Sequence, residues 1–312
     1  VSAMDSEIYD VAIVGGGAAG LSAALILARA RRRVVVVRGS APRNAPAAHM
    51  HGFLSRDGMP PAELLALGAA EVSGYGGELL DDVVVGASTE TPEDYRLRLG
   101  GGRVLRSRRV LVATGLRDEL PRLPGLRERW GRDVVHCPYC HGYEVRDQPI
   151  GLLGATEPGA QARAMHLALL LPQWSEDLIF FPHGMPLSGN DRAQLDARGV
   201  RVLDGEVARL VVDGDRLRGV EMADGRAVPR TAMFVVSGLR ANNDVLAALG
   251  CAFDDDGWVV TDPSGRTSVP GVWAAGNVRD RMAQVITAAS AGAAAGGAIN
   301  GDLVMAATML TS

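Results

Sequence analysis

Lysine is missing: every one of the chain's 32 basic residues is an arginine. The arginines are scattered among 36 acidic residues for a net charge of −4, so no basic face offers itself to nucleic acid. No run of 18 uncharged apolar residues occurs, and no membrane span is expected. Val1–Asp10 has neither a basic n-region nor a cleavage-type site, which argues against a signal peptide and for a cytoplasmic home. Cysteine is scarce, three in all. In a reducing compartment a close pair is catalytic or metal-binding more often than structural. What is present is a globular composition, 47% hydrophobic and 22% charged, over 312 residues, enough for two domains.

Tyr9–Val14 reads as a buried strand, Gly15–Gly20 as a turn, Leu21–Ala30 as a helix and Arg33–Val37 as a second strand. A Pro- and Asn-rich stretch runs from Ala41 to Pro46, and a helix is expected near Pro61–Gly74. Short strands follow at Asp82–Val85, Tyr95–Leu99 and Val104–Ala113. A boundary is expected near Leu116–Arg122. A second βαβ unit comprises Ile150–Leu153, Ala160–Leu171 and Leu178–Phe181, followed by hairpin-like stretches and a strand at Ala232–Val236. After Leu239–Asn243 the chain returns to the first domain, with a strand and turn at Pro270–Asn277 and a helix at Val285–Ile299. The expected class is α/β, with two Rossmann-like, three-layer βαβ domains. Residues 118–242 form the second, inserted between 1–117 and 243–312 of the first.

Gly15-x-Gly17-x-x-Gly20 follows a strand and opens a helix, the context a dinucleotide motif requires. The first glycine makes the turn, the second admits a pyrophosphate, and the third lets helix and strand pack closely. The bland alternative is a strand-turn-helix without ligand. The second strand should end in Asp or Glu to hold the ribose hydroxyls, but it runs into Arg38. Ser40 or main chain can make that contact, or Arg38 can stack on the adenine. The second turn, Gly151–Gly159, is a poorer match: Thr156 stands where a glycine is wanted, and Glu157 would oppose a pyrophosphate. No Arg or Lys occurs between Trp174 and Asp191 to clamp a 2′-phosphate, which favours a nucleotide fold without its nucleotide.

His136-Cys137-Pro138-Tyr139-Cys140-His141-Gly142 is the strongest local signal. The spacing lets two sulfurs open and close a small-loop disulfide. Only the thiolate attacks, and at an unperturbed pKa of about 8.5 little is ionised at pH 7, so a neighbouring base is useful. His141 is the favoured base, with His136 a second candidate. Covalent haem attachment, a zinc site and an incidental pair also fit the spacing. Cys251 lies among apolar residues and reads as a buried, inert thiol.

Together, the Gly15–Gly20 turn, the Ala113-Thr114-Gly115 strand end, the inserted domain with its Cys-x-x-Cys, and the Pro270–Asn277 turn with Gln284-Val285 resemble the low-molecular-weight thioredoxin reductases over nearly the whole chain. Those reductases carry Asp after the cysteine pair and Arg residues for NADPH; here stand His141 and no such Arg. Cys-Pro-Tyr-Cys-His-Gly with Arg43-Asn44 and His51-Gly52-Phe53 is similar to the thioredoxin-reductase-like dithiol oxidases. These close disulfides in natural products such as gliotoxin and holomycin, using FAD and O2. The resemblance implies FAD, with its pyrophosphate at Gly15, Gly16, Gly17, Ala18, Ala19 and Gly20. Arg43, Asn44, His51, Gly52 and Val83 would lie beside the cofactor, and Ala113, Thr114 and Gly115 along its path. Gly276 and Asn277 would meet its ribitol or phosphate, and Gln284 and Val285 its isoalloxazine. The Ala- and Gly-rich helix that follows also suits close packing at a subunit or domain interface. The resemblance further implies oxidation of a small-molecule dithiol through Cys137 and Cys140, with release of H2O2, by a homodimer that needs no metal. An NAD(P)H- or ferredoxin-driven reductase and a non-catalytic flavin redox sensor are the competing readings.

Overall fold

The computed structural model describes residues 8–39, 41–157 and 159–309. The chain forms two compact units: Val1–Ala45, Met59–Arg117 and Arg240–Ser312 make the first, and Pro46–Gly58 with Asp118–Leu239 the second. Among the described residues, no helix is long and apolar enough to cross a membrane.

In the first unit, the strands Glu78–Leu80, Val34–Val37, Tyr9–Val14 and Val104–Val112 lie side by side in that order, all parallel. Val272–Ala274 also pairs with Val104–Val112 in parallel, while Asp94–Leu99 and Val84–Thr91 extend the sheet antiparallel. The four valines of Val34–Val37 are all buried, as a strand covered on both faces requires. The branched side chains of Val34 and Val36 pack with Val11, Ile13, Leu27, Leu111 and Trp273 in one core.

The helix Ala18–Arg29 packs on the long helix Val285–Met309. A Cβ at Gly292 would fall 1.9 Å from the Ala19 carbonyl oxygen, and one at Gly296 would fall 3.0 Å from that of Ala23. The small residues of the last helix therefore serve close approach inside its own unit. This helix continues past the expected end at Ile299 to Met309. Leu303, fully buried in the core, keeps its apolar face going beyond Asn300 and Gly301.

The second unit repeats the plan. Arg201–Val202, Leu178–Phe181, Ile150–Leu153, Ala232–Val235 and Val134–Val135 form a parallel sheet in that order. A separate antiparallel sheet joins Val207–Asp213, Arg216–Met222 and Ala227–Pro229. Side chains alternate across the parallel sheet. Leu152, Phe180 and Phe234 face a core with the helix Ala160–Leu170, whereas Leu153, Phe181 and Val235 face one with Leu210 and Val220 of the antiparallel sheet. Each buried phenylalanine contributes about 1.5–3 kcal/mol.

Two boundaries differ from the expected 1–117, 118–242 and 243–312. Pro46–Gly58 belongs with the second unit. Gly131, at φ +78°, lets Pro46 approach so closely that a Cβ there would fall 2.7 Å from the proline ring. Residues 240–242 belong to the first unit: Asn242 Nδ2 donates to Thr114 O at 2.9 Å, and Thr114 Oγ1 donates to Asn242 O at 2.8 Å.

Candidate functional site

Each unit carries its own group of candidate residues. In the first, Gly15 adopts φ +114°, and a Cβ there would fall 2.3 Å from Ala113 O. A Cβ at Gly20 would fall 1.9 Å from Gly15 O, so strand, turn and helix close on one another through glycine alone. Gly17 is different: no atom lies within 4 Å of where its Cβ would stand. It caps the helix Ala18–Arg29 without a side-chain hydrogen bond, and the first turn holds no acidic residue. Main-chain N–H groups without intrahelical partners therefore face open space at a positive helix end, which fits a pyrophosphate. Ala18 opens that helix, and Ala19 is buried beneath it against Gly276.

The other first-unit candidates surround this turn or extend from it. Arg38 lies against Gly16 and pairs with Asp81 at 2.8 Å. Val83 packs on Gly39, where a Cβ would fall 2.3 Å from its Cγ1. Ser40 lies outside the described residues. Arg43 and Asn44 are half-buried at the end of the unit's first segment. Ala113, Thr114 and Gly115 leave the central strand, Gly115 at φ +70°. Asn277 Nδ2 donates to Asp280 O and Ala283 O, both at 2.9 Å. An ionised aspartate, which only accepts, could not make these two bonds. Gln284 precedes the last helix and accepts from Ala288 N at 2.8 Å, and Val285 begins it.

The second unit holds the cysteines. Cys137 precedes the one-turn helix Pro138–His141, which contains Cys140. The amides of Cys140 and His141 both donate to Cys137 O, at 3.2 and 3.1 Å. Both sulfurs belong to half-buried residues. Trp174 seals this turn from one side: a Cβ at Gly142 would fall 2.9 Å from its ring, and it meets Tyr139 edge-on at 5.9 Å. His136 stacks on Trp130 at 5.4 Å, so its ring is engaged with an indole.

His141 Nδ1 is buried and makes no hydrogen bond among the described residues. Burial pushes its imidazole below the ordinary range; the Glu144 carboxylate and the Cys137 main chain oppose the shift, and the His51 ring adds to it. His51 faces Glu144 through Nε2 at 3.4 Å and Asp57 through Nδ1 at 3.2 Å. The Gly52 amide, then His51, hold the Asp57 carboxyl below its ordinary range. His51 and Gly52, expected beside the cofactor, thus lie in the same unit as the cysteine pair. Glu144 and Asp57 were missed from sequence. Glu144, three residues after His141, was the detectable one; Asp57 depends on where Pro46–Gly58 packs.

The same unit's nucleotide-type turn also closes through glycine. A Cβ at Gly154 would fall 2.3 Å from Pro182 O. His183, beyond the strand Leu178–Phe181, accepts from Val207 N through Nδ1 at 3.0 Å. Arg163, near the start of the following helix, donates to Ser237 O at 3.1 Å. Cys251, in the first unit, is buried with its thiol raised by that burial.

A family model described as pyridine nucleotide-disulphide oxidoreductase matches residues 9–292. Among solved structures, that of HlmI superposes with a TM-score of 0.93 at 55% identity, covering 97% of this chain and 95% of that one. Thioredoxin reductase tcpT of Claviceps purpurea (strain 20.1) is 30% identical over 298 residues, 93% of either chain. Thioredoxin reductase sirT of Leptosphaeria maculans is 30% identical over 309 residues, 94% of either.

Proposed function

This chain belongs to the pyridine nucleotide-disulphide oxidoreductase family, as an FAD-binding oxidoreductase of the thioredoxin-reductase-like type, and from that premise we propose that it oxidises a small-molecule dithiol to its disulfide. The observation that carries this direction of flow is the end of the strand Leu178–Phe181. A reductase needs cationic side chains there for NADPH. This chain has Pro182-His183-Gly184, with His183 committed to the Val207 amide.

In the proposed cycle the enzyme starts with Cys137 and Cys140 joined. A substrate thiolate attacks Cys137 and releases Cys140. The second substrate thiol then attacks the mixed disulfide and leaves as the cyclic product, so both cysteines end reduced and the substrate oxidised. His141 takes the thiol proton. Its burial keeps the imidazole neutral near pH 7, so it arrives as a base, and the Glu144 carboxylate favours the cation once the proton is on. His51, held between Asp57 and Glu144, orients that carboxylate. FAD, when bound, would supply a two-electron acceptor for re-closing Cys137 with Cys140, with O2 as terminal oxidant and H2O2 as its reduced product.

The pyrophosphate falls to Gly15–Gly20, with Val83, Arg43, Asn44, Ala113–Gly115, Gly276, Asn277, Gln284 and Val285 along the cofactor. A homodimer in a reducing cytoplasm completes the proposal, a setting in which a close cysteine pair is catalytic.

The deciding test is anaerobic flavin reduction with NADPH, NADH and a small dithiol. Bleaching by the dithiol but not by either nicotinamide is expected. Rapid bleaching by NADPH would make the chain a reductase, as its relatives' names have it. Cys140→Ser must lose dithiol oxidation while retaining FAD; wild-type turnover in that variant would end the scheme.

A further inference from the structure

In the first unit a cation stands where a dinucleotide fold places a carboxylate for the ribose hydroxyls. Arg38 directly follows the strand Val34–Val37, and its stem runs along the glycine turn: a Gly16 Cβ would meet its Cγ at 2.4 Å and its Cδ at 2.8 Å. Its Nε is shut from solvent and has no hydrogen bond among the described residues, while an outer guanidinium nitrogen takes a partner.

The carboxylate is supplied from one strand over. Glu78–Leu80 pairs with Val34–Val37, Leu80 opposite Val37, and Arg38 N donates to Leu80 O at 2.7 Å. Asp81, the next residue, is thereby brought alongside. Its Oδ1 takes the Arg38 guanidinium at 2.8 Å, and its side chain stays 78% exposed. Its Oδ2 has no partner among the described residues. An exposed carboxylate oxygen, held by the arginine whose stem lines the glycine turn, therefore stands beside a turn shaped for a pyrophosphate.

We propose that Asp81, steered by Arg38, is the carboxylate that accepts a hydrogen bond from the adenosine 2′-hydroxyl of FAD. The arginine fixes an otherwise freely swinging side chain. It also offsets the negative charge of Asp81, which would otherwise stand beside the phosphates. A 2′-phosphate would meet the carboxylate and be rejected. The assignment rests on the Gly15–Gly20 turn holding the FAD pyrophosphate.

The test is fluorescence titration of flavin-free protein with FAD, 2′-deoxy-FAD and FMN, which lacks the adenosine. Asp81→Ala is expected to weaken FAD binding on the order of ten-fold, the worth of one hydrogen bond to a charged group, and to leave FMN binding unchanged. The wild type should bind 2′-deoxy-FAD more weakly than FAD, and this difference should vanish in Asp81→Ala. Arg38→Ala should weaken FAD without affecting FMN. Wild-type FAD affinity in Asp81→Ala, equal losses for FAD and FMN, or a 2′-deoxy effect that persists in the variant would each overturn the assignment. A wild type that binds FAD no better than FMN would overturn the pyrophosphate reading, and this one with it.

Discussion

Replacing His141 by glutamine isolates the proton transfer, because it keeps a polar side chain of similar size but removes the base. A thiol of ordinary pKa, about 8.5, is only about 3% ionised at pH 7. A neutral imidazole that takes the proton as the sulfur attacks offsets that limit, an effect of about thirty-fold and within the reach of general-base catalysis. His141 meets the requirement because burial lowers its pKa and its Nδ1 makes no hydrogen bond among the described residues. Anaerobic stopped-flow reduction of the flavin by a small dithiol, followed from pH 6 to 9, reads the effect. The wild-type rate should level off above the lowered imidazole pKa. The His141→Gln rate should be about thirty-fold lower at pH 7 and climb about ten-fold per pH unit, approaching wild type near pH 8.5. A variant whose profile keeps the wild-type shape and height at pH 7 would refute the assignment of His141 as the base.

Glu144→Gln removes the carboxylate that favours the protonated form, so the acid limb of the same profile should move to lower pH. The folded chain holds the His141 proton less firmly than the unfolded chain does. Its contribution to stability is therefore present above the ordinary value of 6.5 and lost as the pH falls below it. His141→Gln should flatten that part of the pH dependence of the urea midpoint. Two glycines of one turn should separate folding from binding. Gly20→Ala sets a methyl 1.9 Å from the Gly15 carbonyl oxygen and should destabilise the flavin-free protein by about 3 kcal/mol in urea. Gly17→Ala meets no atom within 4 Å and has an ordinary φ of −78°, so it should unfold like wild type yet bind FAD more weakly.

Local patterns were legible without coordinates. A valine run bounded by arginines reads as a buried strand, and the Gly15-x-Gly17-x-x-Gly20 turn sets glycine at two positions where backbone closes on backbone, Gly15 and Gly20, and at one left open, Gly17. The duplicated βαβ order, the insertion of one unit into the other and the Cys137–Cys140 turn likewise come from short-range spacing. Some local readings ran only part way. The last helix, expected over Val285–Ile299, runs on to Met309, with Leu303 buried in the core.

What only tertiary structure decided are pairings between segments far apart in the chain. Pro46–Gly58 has no periodicity to say which unit it joins, yet its placement brings His51 to Glu144 and so beside His141. Arg38 looked like a departure from its motif until strand pairing set Asp81 next to it. The Asn277 amide finds its acceptors, Asp280 O and Ala283 O, only once the loop that follows it is folded. Periodicity records what a residue needs from its immediate neighbours. Which distant group satisfies a buried donor or acceptor is set by sheet register and packing, and no spacing along the chain encodes that.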